Sequence, residues 1–327
     1  MRISILWFLS AALASLAAGA DKATPAGPGI FWRDPSDIAQ RDLIYGQGGK
    51  KHAPTQNAKF TFDKEDLKGT NPKFSVKDAD GTKWKVKLGV EAKPETASAR
   101  LVWAVGFTTN EDYFLPKLTV DGVPEHLKRG NNLKQADGSF ANVRLKRSEK
   151  GEEKGGIWKW RDNPFEGSKE LDGLRVMMAL INNWDLKDDN NATYDTEQGK
   201  LYIVSDLGAS FGTTGESWTH TRSKGNLEQY RKSRFISKAT PEYVSFGTPS
   251  RPAPIFIFNP HEFFSRVHLE WIGHKIPRDD VKWMAQELSK LSPEQIRDAF
   301  RAAGYSPEEV EGFAGVVEKR IAALREL

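Results

Sequence analysis

The sequence predicts an α+β protein of two lobes, β-rich first and mainly helical second. Three observations predict it. Several short runs between residues 60 and 147 read as strands, the clearest of them alternating apolar and polar residues with period two. From about residue 168 onward the apolar spacing is mostly helical. Near the C-terminus, "SPEQIRDAF" and "SPEEVEGFAGVVEKRIAAL" each open with Ser, then Pro, with Gln295 or Glu309 three after the Ser, which is the capping-box pattern.

The first segment, residues 1–20, reads "MRISILWFLSAALASLAAGA": one basic residue, Arg2, an apolar run without charge, and a small-x-small ending at Ala18-Gly19-Ala20. That is the pattern of a secretory signal cut before Asp21. The expectation is a secreted or periplasmic protein with no stable membrane insertion after cleavage. No other segment is apolar over a span-length stretch. There is no Cys, so disulfides, thiolate chemistry and Cys-linked lipid are excluded. Residues 21–59 are rich in Pro and Gly and predict an irregular extension.

Residues 60–160 form the predicted β-rich lobe. "PKFSVKDADGTKWKVKLG" is a hairpin turning at Asp80-Gly81, with Trp84, Val86 and Leu88 on one face and Lys83, Lys85 and Lys87 on the other. "KPETASARLVWAVGF" then has helical spacing, with Pro94 in its first turn. "YFLPKLTV" and "ANVRLKR" read as strands, joined by a polar loop. Residues 161–327 form the predicted helical lobe, opening with a helix capped near Ser168. The chain has 327 residues, enough for both lobes, and ten tryptophans with eighteen phenylalanines can supply the cores. A formal charge of +4 is small for this length and gives no argument for nucleic-acid binding. The expected partner is a protein or small-molecule acceptor, which the sequence does not identify.

Chemistry concentrates in "INNWDLKDDNN", which lies between a helix and an apolar strand, "LYIVSD". Phosphoryl transfer needs a carboxylate to orient the attacking group, oxygen ligands for Mg²⁺ and a cation for the nucleotide phosphates. Asp185 and Asn190 stand five apart on a loop. Asp206 ends the strand and Gly208 follows. "NATYD" and "KLYIVSD", joined through "TEQG", supply a hairpin between the two. A loop Asp, an Asn five later and an Asp-x-Gly after a hairpin is the order of kinase catalytic and metal-binding loops. Upstream, Lys87 ends a strand and Glu95 opens the next helix, with Lys85 and Glu91 as rival choices. "GTNPK", residues 69–73, could cover the phosphates.

On these residues the chain resembles the atypical branch of the protein-kinase-like fold: HipA-type kinases, spore-coat CotH-type kinases and the secretory-pathway kinases. Gly69, Lys73 and Lys87 match a G-x-x-x-K loop before a strand lysine. Asn183, Asp185 and Asn190 match an N-x-D-x-x-x-x-N loop. "NNWDLKDDNN" and "DLGASFG" are similar to the CotH-type loops. The resemblance covers roughly residues 69–212, in pieces. It implies Asp185 as catalytic base, Asn190 and Asp206 as metal ligands, and Lys87 with Glu95 as the phosphate-holding pair, with Gly69 and Lys73 on the nucleotide. It implies Mg (or Mn) and ATP or another nucleotide. The GxGxxG loop of ordinary kinases is absent, and Leu186 follows the catalytic-type Asp.

Other readings compete. A pseudokinase-type binding module would keep the fold without catalysis. "GASFG", residues 208–212, matches the G-x-S-x-G nucleophile elbow, with His261, His268 or His274 as a base. The oxygen cluster does not scan as an EF-hand, because Gly is missing from the sixth position. In "HEFFSRVH" the two histidines would lie about 10 Å apart along a helix, too far to share one zinc.

Overall fold

The computed structural model describes residues 29–55, 57–69, 71–148, 153–213, 224–249 and 253–327. The expected signal segment and its cleavage point lie outside the described residues. A four-residue helix, α1 (Gly49–His52), precedes a sheet of six strands: β1 (Phe60–Asp66), β2 (Lys73–Asp78), β3 (Lys83–Lys87), β4 (Asp112–Leu118), β5 (Val120–Asp121) and β6 (Phe140–Ser148). Their spatial order is β4-β6-β3-β2-β1-β5. The predicted hairpin is β2–β3. Its turn is built by Asp78, whose Oδ1 accepts from the amides of Asp80 and Thr82 while Oδ2 accepts from the Trp84 indole. Gly81 takes the left-handed conformation this turn needs, at φ +77°. Trp84 and Val86 are buried with Phe74, Val76, Phe140, Val143 and Leu145, which form the core on one side of the sheet.

Between β3 and β4 runs α2 (Ala92–Ala104). It is buried nearly all round, because it packs on β4 and β6 on one side and on a late helix on the other. Its Leu101 and Val102 belong to the larger core, not to the sheet core.

The second half supplies α3 (Lys169–Leu180), α4 (Leu227–Lys232), α5 (Ala253–Phe258), α6 (Pro260–Leu269), α7 (Arg278–Ser289), α8 (Pro293–Ala302) and α9 (Pro307–Arg325). Ser168 caps α3, accepting from the Leu171 amide. Both capping boxes are present, at Ser292 with Gln295 and Ser306 with Glu309. The expected hairpin of "NATYD" and "KLYIVSD" is β8 (Asn191–Thr196) with β9 (Gly199–Val204), and β7 (Glu153–Gly156) adds to β8. A small sheet of β10 (Ile236–Ala239), β11 (Tyr243–Phe246) and β12 (Ile276–Pro277) lies within the part read as helical. Its strands have four, four and two residues, too few to show a period.

The N-terminal extension is irregular as expected, yet it is built into the core. Phe31, Ile38 and Leu43 are fully buried. Ile30 donates to Lys200 O at 2.7 Å and accepts from the Tyr202 amide at 2.8 Å. Trp32 donates to Val105 O, at the end of α2, and Gln295 on α8 donates to the carbonyls of Ile38 and Arg41. The extension thus ties β9, α2 and α8 together. Among the described residues, no helix is long and apolar enough to cross a membrane.

Candidate active site

The site starts from an electrostatic conflict in the sheet. Lys87, the last residue of β3, lies opposite Lys73 on β2 and opposite Arg144 on β6. Residues opposite each other point to the same face, so like charges there repel. Lys83 and Lys85 on that face are exposed, whereas Lys87 and Arg144 are buried. The rivalry between Lys85 and Lys87 therefore resolves geometrically: Lys87 is the one inside.

Glu95 settles the conflict. Its Oε1 accepts from Arg144 Nη2 at 2.8 Å, and its Oε2 lies 2.7 Å from Lys87 Nζ. The second contact is an ion pair without hydrogen-bond alignment. Arg144 Nε also faces Asp112 at 3.6 Å. Glu91, one helical turn before Glu95, accepts from Lys87 Nζ at 3.1 Å through Oε2. Both rival glutamates thus hold the same lysine. Glu91 is further bonded by the Asn71 side chain and by Lys224 Nζ.

Asp206 brings the second half of the chain to this point. Its Oδ1 accepts from Lys87 Nζ at 3.1 Å and from the Gly208 amide at 3.2 Å. No side chain fits at Gly208, because a Cβ there would lie 2.8 Å from Glu91 Cβ. The glycine of Asp-x-Gly is required by this approach. The Asp206 side chain stays 38% exposed, whereas Glu95 is fully buried. Carboxylate oxygens of Glu91, Glu95 and Asp206 lie within 4.8 Å of one another, an oxygen set suited to a hard divalent cation. Lys87 already stands among them, so Asp206 with the open side is the member best placed to share such an ion.

The amide-rich loop is held mostly by its own amides. Asn190 Nδ2 donates to the backbone carbonyl of Asp185, and Asn190 O accepts from the amides of Ser205 and Asp206. Asn190 therefore joins the Asp185 loop to Asp206, and its side-chain oxygen takes no part in these bonds. Asn183 Oδ1 accepts from the Asp185 amide at 3.0 Å. Asn182, at φ 55°, donates to Gly212 O and accepts from the Trp184 indole. Asn191 donates to Trp158 O. The amides shape the loop and leave the Asp185 carboxylate 35% exposed, with Lys187 Nζ 3.7 Å away. The predicted phosphate loop lies at the same place: Asn71 reaches Glu91, and a Cβ on Gly69 would lie 3.4 Å from Lys73 Nζ.

Burial works against the charge of Lys87, but Glu95 and Asp206 outweigh it and hold the ammonium above its ordinary range. Burial likewise opposes the charge of Asp206, yet Lys87 keeps that carboxyl below its ordinary range. For Glu95 burial wins over Arg144 and Lys87, and its carboxyl is pushed up to about 7.

Arg144 and Asp112 were not legible as site residues, and Asn71 and Lys224, though inside the "GTNPK" loop and the basic run "RSKGNLEQYRKSR", were not singled out. Arg144 carries a signal only once β6 is paired to β3, because it is then opposite Lys87. The hydrolase reading does not survive. Ser210 is fully buried and donates to Leu207 O at 2.7 Å, with no helix starting at residues 211–213. His261 and His268 are exposed on α6, and His274 contacts Thr248 and Glu270.

Strand lysine, helix glutamates and Asp-x-Gly thus meet at one place in an α+β fold, and Asn190 joins the Asp185 loop to Asp206. No family model matches the chain, and no curated protein matches it by sequence. Among solved structures the chain is similar to the Helicobacter pylori proinflammatory kinase CtkA, at 12% identity, covering 82% of this chain and 96% of that one with a TM-score of 0.45. It is also similar to the Golgi casein kinase, at 11% identity, covering 83% of this chain and 75% of that one with a TM-score of 0.32. A structure of the Golgi casein kinase with Mn/ADP bound matches at 11% identity, covering 88% and 77%, with a TM-score of 0.30.

Proposed function

We propose that the chain is a kinase-like phosphotransferase moving a phosphoryl, or nucleotidyl, group from a metal-bound nucleotide to an acceptor hydroxyl. The observation that carries this reading is Lys87 Nζ held by Glu95 at 2.7 Å and by Asp206 at 3.1 Å, across 119 residues of sequence. In this reading Lys87 binds the nucleotide phosphates and Glu95 positions it, under the loop containing Gly69 and Lys73. Asp206 and Asn190 offer oxygens to Mg (or Mn), which supplies charge neutralisation of the phosphates when bound. Asp185 accepts the proton of the acceptor hydroxyl as that oxygen bonds to phosphorus. The bond from phosphorus to the leaving phosphate oxygen breaks, and its electron pair stays with the nucleoside diphosphate in phosphoryl transfer or with pyrophosphate in nucleotidyl transfer. The acceptor is a protein or a small molecule.

The test is thermal unfolding of the chain with and without nucleotide and divalent ion. A nucleotide at a hundred times its Kd should add about 2.7 kcal/mol of stability. No stabilisation by ATP or GTP, with Mg²⁺ or with Mn²⁺, would sink the reading. We further propose that the mature chain works outside the cytoplasm, supported by the apolar residues 3–18. Sequencing of exported protein should then begin at Asp21, and full-length protein in the membrane fraction would contradict it.

A further inference from the structure

We propose that Lys224 is a further polyphosphate-binding cation of this site, in addition to Lys87 and Lys73, held on Glu91 until a nucleotide takes it. The proposal rests on the nucleotide-binding reading above. It begins with charge. Without Lys224, two cations, Lys87 and Arg144, face the three carboxylates that surround Lys87, those of Glu91, Glu95 and Asp206. A polyphosphate carries several negative charges of its own. Lys87 alone, already shared by three carboxylates, is a poor attractor for it.

Lys224 is placed to supply what is missing. Its ammonium bonds Glu91 Oε1, while Lys87 and Asn71 bond Oε2 of the same carboxylate. Two ammonium groups therefore converge on one carboxylate beneath the Gly69 loop. The Lys224 side chain is 27% exposed, against 4% for Lys87 and Glu91, so it lies on the open side of the cluster. Glu91 does not depend on it, because Lys87 and Asn71 would still be bonded to it.

The backbone that delivers Lys224 is anchored separately from the ion pair. Gly225 N donates to Ser210 O at 2.9 Å and Asn226 N donates to Phe211 O at 2.7 Å. The Asn226 side chain caps α4. Gly225 sits at φ +57°, where a Cβ would come within 2.8 Å of the Tyr305 hydroxyl and 3.4 Å of Pro94. With the chain fixed directly after it at Gly225 and Asn226, the lysine can swing its long stem from Glu91 to an anion entering beside Lys87.

Calorimetric titration of ATP with Mg²⁺ into wild type, Lys224→Ala and Lys224→Arg tests this, with adenosine as the phosphate-free control. Lys224→Ala should weaken ATP binding by about tenfold or more, the loss of one charge-assisted contact. Adenosine binding should not change, and Lys224→Arg should keep most of the ATP affinity. ATP bound by Lys224→Ala as tightly as by wild type, or more tightly, would show that Lys224 only pairs with Glu91. Equal loss of ATP and adenosine binding would show that it only supports the fold. Either result overturns the proposal while leaving the kinase-like reading standing. Wild type that binds neither ATP nor GTP defeats that reading first, before any variant is compared. Should Lys224→Ala melt at a lower temperature, Lys224→Met, which keeps the stem, takes its place in the comparison.

Discussion

Glu95→Ala is expected to destabilise the chain by about 3–5 kcal/mol, the usual cost of stripping one partner from a buried ion pair. Glu95 has no exposure and stands between Lys87 at 2.7 Å and Arg144 at 2.8 Å, two cations directly opposite each other on β3 and β6. Removing it leaves both charges buried and repelling. Asp112, at 3.6 Å from Arg144, and Glu91, at 3.1 Å from Lys87, relieve part of the cost. Denaturant unfolding of the variant and the wild type measures the difference. A loss below about 1 kcal/mol, the range of an exposed ion pair, would contradict the burial and pairing described for this residue. The expectation concerns the fold alone and holds whether or not the site binds nucleotide.

Asp185→Ala and Asp206→Ala should separate chemistry from binding. In the proposed reaction Asp206 offers its oxygens to the ion that accompanies the nucleotide, so its loss should abolish metal-dependent nucleotide binding. The fold should survive, because Glu91 and Glu95 still hold Lys87. In the same proposed reaction Asp185 acts on the acceptor hydroxyl. Its loss should leave nucleotide affinity within about threefold and reduce transfer by roughly 10²–10⁴, the range for a general base. Titration calorimetry and a transfer assay against candidate acceptors read the two effects. Loss of nucleotide binding on Asp185→Ala, to the same extent as on Asp206→Ala, would remove the distinction in roles. Wild type that binds nucleotide and transfers nothing to any acceptor would favour the binding module.

The site was half legible before folding. Asp185, Asn190 and Asp206 stand out because a catalytic-type loop keeps its spacing within a few residues. The structure joins them through Asn190, bonded to the carbonyl of one aspartate and to the amide of the other. Lys224 had no individual mark, since it lies within the basic run "RSKGNLEQYRKSR", which reads equally well as a solvated surface or as a segment following Asp-x-Gly. Glu91 and Glu95 could not be ranked, because both lie within reach of one lysine across a single helical turn.

Sequence by itself determined the β2–β3 hairpin, the cap of α3 and the capping boxes of α8 and α9. Each is encoded within one turn of chain, where period, a glycine or a side-chain oxygen acts on its immediate neighbours. Only the tertiary structure decided that Lys87 and not Lys85 enters the interior. Both lie on the same face of β3 with the same period, so local pattern treats them alike. What separates them is closure by α2 on one side and by Asp206, 119 residues later, on the other. The same holds for Arg144, which reads as an ordinary strand arginine until it donates to a glutamate 49 residues earlier, on the helix packed against the sheet. Desolvation and charge pairing depend on which distant segments meet, and that information is carried by the packed chain as a whole.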